Sequence, residues 1–554
     1  MYFGSFNVSL LEELSIGVLA IKFRPEHLVE LRLPGSNIEQ LWNGMQNLVN
    51  LRVIDLNGCK NLLTIPDLSR AINVKRLSVS YCKRLVQLPF MTHMKSLHCN
   101  LFASCSANLK KFPELPLHMT CLVLATTAIE ELPETTKYLD QLVHLDLSFS
   151  QVKHLPSTIW SSLNKLAYLN MSGTRIQNLP STILKSDALE TIYLSYCPNI
   201  TRFPNVPENI KYLYLANIPI EEVPSSAERL KNLHELRMTN CKRLKNFSAS
   251  ILDDIRNLSV RSGFCNLGSL TTLDVSESNI MEIPVSIKQL YNLYYLYLRD
   301  CKCLKSLIEL PPLLLQLDAH GCTSLERVSI TQQFRHTFCE DNVRFDKMRF
   351  ANCFNLYRDA VDNILANALL KIHCMAKERA KGCYEGAIHH YLDIVVAWSK
   401  TSERFEYQST NSSITIKLSP DCKSDRILGF APCVVVDCDN NHENMDTRIF
   451  CKFRLKTKWG DYHNFESEWV SRMYNYGPKC FESNHMIIWF HGSMLQEDKH
   501  YEEASFEFYI TDECCGNTLE YIKVEKCGVH VFYVDAERCT PGSAFKSSKI
   551  FSFK

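Results

Sequence analysis

Between Leu28 and Ala319 a leucine-rich motif recurs thirteen times, at intervals mostly between 21 and 25 residues. Its clearest copies read Leu51-x-x-Ile54-x-Leu56, Leu142-x-x-Leu145-x-Leu147, Leu189-x-x-Ile192-x-Leu194 and Leu293-x-x-Leu296-x-Leu298. A unit this short cannot bury its own apolar face, so units of fixed period must stack and share one core. The period predicts an α/β leucine-rich-repeat solenoid, a horseshoe of parallel strands, with a long surface suited to gripping another macromolecule. Binding is therefore the expected activity.

The repeats open at Leu28, Leu51, Val74, Met94, Met119, Leu142, Leu166, Leu189, Ile210, Leu233, Leu270, Leu293 and Leu314, with Met94 the poorest match. The step from Leu233 to Leu270 is about double and holds an insertion. Most units close on an apolar residue followed by proline, as in Ile65-Pro66, Leu132-Pro133, Leu179-Pro180 and Val223-Pro224. Proline fixes an extended backbone there and prevents a long helix, so the return side should be turns and brief helical pieces. Eight residues after the opening stands a small residue: Cys59, Cys82, Cys197, Cys241, Cys301 and Cys322 in six units, Ser36, Thr127, Ser150, Thr174 and Ser278 in five, with Phe102 and Ile218 as exceptions. Cysteine units take 14 steps from opening to closing residue (Leu51 to Ile65), serine and threonine units 13 (Leu142 to Leu155). Two interchangeable loop geometries follow, each with a small side chain turned inward to serve backbone groups.

That regularity bears on all 24 cysteines. One per repeat is a structural pattern, and no C-x-x-C pair is matched by a second pair or by spaced histidines, so buried thiols are expected in place of metal ligands. Cys301/Cys303 and Cys514/Cys515 are sequence neighbours without a completing set. Unpaired thiols without a secretory leader point to a reducing compartment, the cytoplasm or else the nucleus. A formal net charge of +1 gives no bulk electrostatic case for nucleic acid or membrane. No apolar run reaches the roughly 20 residues that span a bilayer.

After Leu325 the leucine rhythm stops. Asp359 to Ile372 carries apolar residues at helical spacing, with Asp359 as a cap. Strand-like segments follow at Ser413–Leu418, Ile427–Val436, Ile449–Leu455, Met486–Phe490, Ser505–Ile510, Ile522–Val524 and Val529–Val534, which reads as an antiparallel β-sandwich. The expected division is a lead-in over 1–22, the solenoid over 23–335, the sandwich over 336–535 and a loose tail over 536–554.

Phe23–Ser69 resembles the opening repeats of plant intracellular disease-resistance receptors, the proteins with a TIR domain, a nucleotide-binding domain and leucine-rich repeats. Met348–Ala366, Tyr407–Leu418, Leu428–Val436 and Val524–Tyr533 resemble the jelly-roll/Ig-like domain that follows those repeats. The resemblance runs from Phe23 to about Tyr533. It implies a ligand-sensing portion that binds a pathogen effector protein through the concave repeat face and the sandwich, relieving autoinhibition in full-length relatives. The chain departs from the family in having no TIR domain and no G-x-x-x-x-G-K-[ST] loop; Gly-Lys occurs nowhere in it. Nothing here cradles nucleotide phosphates, and no cofactor is expected. At Trp398–Phe405 it also lacks the Pro-Gly-containing stretch of the relatives.

The register places Arg32, Asp55, Ser78, Val123, Asp146, Asn170, Tyr193, Tyr214, Arg237, Asp274, Tyr297 and Asp318 at the central outward position. Phe149, Tyr168, Tyr196, Tyr212, Tyr294, Tyr295 and Arg299 stand beside them. Tyrosine and arginine anchor interfaces, so Tyr168, Tyr193, Tyr196, Tyr212, Tyr214, Arg237, Tyr294, Tyr295, Tyr297 and Arg299 are the candidate protein-binding residues. The plainer reading is a cross-strand aromatic ladder that favours the sheet. No catalytic set emerges: His389-His390 lack arranged partners, and Glu130-Glu131 and Glu221-Glu222 read as solvated loop charge. A non-enzymatic effector sensor is thus expected, with three further readings open. These are a truncated regulator or decoy that pairs with a full-length receptor, a non-catalytic remnant of an NAD-hydrolysing receptor, and an extracellular receptor, which lacks a leader or paired cysteines to support it.

Overall fold

The computed structural model describes residues 5–7, 25–97, 101–160, 162–247, 267–330, 343–380, 389–418, 427–438, 447–470, 483–491, 500–512 and 522–533. The chain divides into two compact units, Met1–Asn279 and Ile280–Lys554. In the first, strands of two or three residues stack in parallel without slippage. Leu31 lies beside Ile54, Ile54 beside Leu77, Leu145 beside Leu169, Leu169 beside Ile192 and Ile192 beside Leu213. Each of these central residues is at most 2% exposed, while its strand neighbours face outward. That is the alternation a pleated strand imposes on Leu-x-Leu. Ser5–Asn7 adds a parallel strand beside Glu30–Arg32.

The proline beat starts the return side. Pro133, Pro180 and Pro224 hold extended backbone directly before the 3-10 helices Glu134–Tyr138, Ser181–Lys185 and Ser225–Arg229. Each proline carbonyl accepts the first bond of its helix, from Thr136, Ile183 and Ala227. Proline costs nothing where no N–H is needed.

The two loop lengths correspond to two hydrogen-bond routes. In the longer loop the side chain reaches back one repeat: the thiols of Cys59, Cys82, Cys197 and Cys241 donate to the carbonyls of Leu33, Leu56, Met171 and Leu215 at 3.1–3.2 Å. In the shorter loop Thr127, Thr174 and Ser278 donate to Leu124, Met171 and Val275, three residues back in their own repeat. Both routes add a side-chain donor to a buried turn carbonyl, and those of Leu33, Leu56 and Met171 also accept the backbone N–H of Ser36, Cys59 and Thr174.

Two expectations need correcting. The poor match at Met94 was out of register. The strand is Leu101–Phe102, with Leu101 beside Leu77, so the small inward residue is Ser106 and not Phe102. Ser106 donates to Val79 at 2.9 Å by the long-loop route, and its closing residue, Phe112, keeps the 14-step spacing. Ser78 and Asp274, expected outward, are buried. Over Ser78 the Arg76 guanidinium bonds the hydroxyl and lies on the Phe102 ring. The insertion at 248–266 lies outside the described residues; on either side of it, Leu236 pairs directly with Leu273.

The second unit begins with two more repeats, whose strands Tyr295–Tyr297 and Gln316–Asp318 are parallel. The next strand, Val343–Phe350, was not anticipated, because the leucine rhythm ends before it. It is nevertheless a repeat by structure. Met348 lies beside Leu317, and Cys353 donates its thiol to Ala319 at 3.0 Å, as Cys322 does to Leu298. Met and Phe stand where leucine is usual, which hid it. The helix Arg358–Ala380 then crosses to His389–Val396, parallel to Val343–Phe350, in a βαβ unit. Asp359 lies in the first turn of this helix and not at its cap.

From His389–Val396 the sheet continues antiparallel through His485–His491, Ile427–Cys438, Ile522–Tyr533 and Tyr407–Ser409. A second antiparallel sheet runs Ser413–Lys417, Tyr501–Asp512, Thr447–Thr457, Tyr462–Val470. Phe430, Val434, Trp489 and Val529 from one sheet and Phe453, Phe506, Phe508 and Trp469 from the other share one core. The expected sandwich is there, with adjustments. Ile522–Val524 and the segment from Val529 lie on one strand, Ile522–Tyr533, with Val534 outside the described residues. His389–Val396, Tyr407–Ser409 and Tyr462–Val470 were missed, the last because Glu466 and Glu468 sit on its exposed face.

Candidate functional site

In the first unit the outward strand positions carry a run of stacked rings. His144 lies flat on Tyr168 at 4.0 Å between centroids, Tyr168 meets Tyr193 at 5.3 Å, and Tyr193 lies flat on Tyr214 at 4.1 Å. Strands about 4.8 Å apart bring aligned side chains to stacking distance. Tyr212 reaches His234 at 6.2 Å. Arg237 pairs with Glu235 on its own strand. Partial burial in the stack pushes the Tyr168 phenol up to about 12, and burial with Glu235 close by raises Tyr214 further. These hydroxyls stay protonated and able to donate. The ladder reading and the interface reading thus apply to the same residues, since the stack leaves the outer edges half exposed.

Beside the strands runs a second row. The residue that turns the chain out of each strand has positive φ: 62° at Tyr81, 55° at Phe149, 68° at Gly173, 61° at Tyr196, 57° at Asn217 and 59° at Asn240. Its N–H bonds the next repeat, as Phe149 does to Ser172 and Tyr196 to Ala216. For a residue with a side chain this region costs roughly 1–2 kcal/mol. Glycine and asparagine accept it most readily. Phe149 is 51% and Tyr196 54% exposed, with ring centroids 6.0 Å apart. The Phe149 ring occupies the space over Gly173, where a Cβ would lie 2.3 Å from it.

In the second unit Tyr295 and Tyr297 flank buried Leu296, and the Tyr297 hydroxyl meets Gln316 at 3.3 Å. Tyr294 is half exposed just before that strand. The Arg299 guanidinium lies over Tyr297 and pairs with Asp318 at 3.0 Å. Asp318 stands beside Arg349, whose partner on the next strand is buried Asp393 at 3.7 Å. Burial lifts the Asp393 carboxyl and Arg349 opposes it. The face thus grades from solvent-facing tyrosine to a buried ion pair where the sandwich begins. Sequence spacing missed this pairing because Asp318, Arg349 and Asp393 lie on strands joined by long connections.

Other candidates resolve structurally. Glu130 is held by Lys153 at 2.9 Å, which lowers its carboxyl. Side chains at His389-His390 lie outside the described residues. Among the described residues no group of three or more His, Cys, Asp or Glu is placed to hold a metal ion, and no helix is long and apolar enough to cross a membrane.

The C-JID domain family matches residues 396–538, and the Leucine Rich Repeat family matches residues 27–46. Disease resistance protein RPP2B of Arabidopsis thaliana is 30% identical, over 89% of this chain and 44% of the relative. Disease resistance protein RPS4B of the same plant is 26% identical, over 89% and 37%. The chain therefore spans less than half the length of these curated relatives. Among solved structures, the Leptospira interrogans LRR protein LIC12759 superposes with a TM-score of 0.41 at 19% identity, covering 61% of this chain and 88% of the other. The chain thus carries leucine-rich repeats and a C-JID domain, and over most of its length it is similar to plant disease resistance proteins, consistent with the C-terminal part of a receptor with TIR, nucleotide-binding and leucine-rich-repeat regions.

Proposed function

We propose that the chain is the ligand-sensing portion of a plant intracellular immune receptor and binds a pathogen effector protein directly. The contact surface is the outward face of the repeat strands, carried by Tyr168, Tyr193, Tyr196, Tyr212, Tyr214 and Arg237 in the first unit. In the second unit it is carried by Tyr294, Tyr295, Tyr297 and Arg299, with the sandwich adding contacts. The single observation behind this reading is the half-exposed aromatic run from His144 to Tyr214. Rigid rings with polar tips offer large contact area at little entropic cost. The exposed face needs no enzymatic chemistry to act, and the chain works as a binding protein without a cofactor. Signalling belongs to the rest of the receptor, and a full-length receptor of the same family is the second partner.

The test is a panel of purified pathogen effectors measured against the immobilised chain by interferometry. At least one should bind, and Tyr214→Ala or Tyr297→Ala should weaken it about tenfold or more with the thermal midpoint nearly unchanged. Unaltered affinity together with a large loss of stability would mean that the rings serve the sheet alone.

A further inference from the structure

Trp459 is 78% exposed, more than any other large apolar side chain among the described residues. It stands in the turn between the strands Thr447–Thr457 and Tyr462–Val470, and other groups close that turn. Thr457, itself buried, donates its N–H to the Asp461 carbonyl at 2.8 Å and accepts the Gly460 N–H at 3.0 Å. Its hydroxyl accepts the Asp461 N–H at 3.1 Å. Gly460 has φ of 89°, which glycine alone adopts freely. The Trp459 ring enters none of these bonds, and among the described residues no ring or cation stacks on it. A large ring held in water by a turn that does not need it contributes nothing to the fold.

The last rungs of the same hairpin supply cations. Lys456 faces Tyr462 across the strands and Arg454 faces Asn464. Arg454 and Lys456 both lie on the Tyr462 ring, at 5.5 Å and 5.9 Å, and the ring remains 53% exposed. Lys458 follows in the turn, also exposed. None of the three is ion-paired among the described residues, whereas Arg448 at the far end of the same strand meets Glu468 at 3.6 Å. Asp461 is the one acid of the tip, and Glu503 stands opposite Lys456 on the strand behind, next to Glu502. The positive excess is therefore small and confined to the tip. Farther along, Lys452 is flanked by Glu466 and Glu507, which would repel a polyanion laid along the strand. What fits is an anionic surface met end-on. A tryptophan at the head of a hairpin, a tyrosine one rung back and unpaired cations behind them suit the headgroup layer of an anionic bilayer.

We propose that the 457–462 tip docks on an anionic lipid surface, with the Trp459 and Tyr462 rings in the interface and Arg454, Lys456 and Lys458 on the headgroups. A formal net charge of +1 gives the chain no long-range attraction, so the contact is weak, reversible and set by the ring and the local cations together. It asks nothing of the repeat face and stands or falls apart from effector binding.

The test is sedimentation of the full chain with phosphatidylcholine vesicles made with and without phosphatidylserine. The wild-type chain should pellet with the phosphatidylserine vesicles and stay in solution with the neutral ones. Trp459→Ala, and separately Lys456→Glu combined with Lys458→Glu, should each weaken association about tenfold or more, with the thermal midpoint nearly unchanged. Phe90→Ser removes a ring that is 70% exposed in the repeats and should leave association as it was. Wild-type chain that does not pellet, equal pelleting with neutral vesicles, or undiminished association in either tip variant would overturn the proposal. An equal loss in Phe90→Ser would also overturn it, by showing general stickiness. Tighter binding to soluble polyglutamate than to vesicles would assign the tip to an acidic protein and overturn it as well.

Discussion

A buried thiol in this chain works as a hydrogen-bond donor. Cys82 is fully buried, donates to the Leu56 carbonyl at 3.2 Å, and is pushed up to about 12 by burial. Cys82→Ala should therefore cost about 1–2 kcal/mol, from the lost thiol bond and a small cavity, read by urea unfolding; the Leu56 carbonyl keeps the Cys59 N–H. Cys82→Ser should recover part of that, as Ser106 occupies the equivalent place with the same bond. Blocked access and the raised pKa also predict that alkylating reagents spare the ladder thiols until the chain unfolds. His485 is a second residue whose role is set by burial. Its Nε2 accepts the Asn352 N–H at 2.9 Å and its Nδ1 faces the Ser483 carbonyl at 2.7 Å, which fixes one neutral tautomer. Burial, the largest cause, lowers it from 6.5 to about 4. A depressed histidine is neutral when folded and takes up a proton on unfolding. Its share of stability is therefore present above pH 6.5 and lost as the pH falls toward 4, on the order of 3 kcal/mol in all. His485→Gln should flatten the stability profile across that window. An unchanged slope would show that His485 is not the group responsible.

At the scale of elements, the Val343–Phe350 strand joins the repeat ladder to the sandwich sheet, parallel to its neighbour on either side, with an ion pair on each face. Asp346, fully buried, meets Lys371 of the long helix at 3.2 Å, and Arg349 meets Asp393 of the next strand at 3.7 Å. Buried pairs return little net stability, yet removing one partner leaves a costly lone charge. Lys371→Met should cost about 3–5 kcal/mol by denaturant unfolding. Asp346→Leu combined with Lys371→Met should restore most of it. A double variant as unstable as the single one would contradict the account. This strand also shows where sequence reading stops. The repeats with Leu-x-Leu and a proline beat were legible because period and chemistry agree at every unit. Met348 and Phe350 satisfy the same geometry without the leucines, and the Met94 unit failed for the converse reason, an apolar residue placed four positions early. In the sandwich, strands buried on both faces such as Ile427–Cys438 announced themselves. Tyr462–Val470, with glutamates outward, did not. Of the candidate site, outward register could be counted from the sequence. The left-handed turn at Phe149 and Tyr196 could not, because backbone φ at a non-glycine residue leaves no compositional mark.

At the largest scale, the repeat ladder of the second unit runs on past residue 335, because Val343–Phe350 pairs with Gln316–Asp318. Within the second unit, parallel strands pass through the βαβ crossover into antiparallel ones, so the sandwich sheet is continuous with the last repeats. A fragment beginning at residue 336 would bare the edge of Val343–Phe350 that pairs with Gln316–Asp318, and should be recovered mostly aggregated. The same placement bears on function, because it sets Arg299, Asp318 and Arg349 where an open strand face runs into a packed core. The most direct test of the central claim, that outward repeat strands hold another protein, is hydrogen–deuterium exchange on the chain with and without a bound effector. Slowed exchange should appear in the peptides covering Tyr168–Asn170, Thr191–Tyr196 and Tyr212–Asn217. Tight binding with protection confined to segments away from those strands would contradict it.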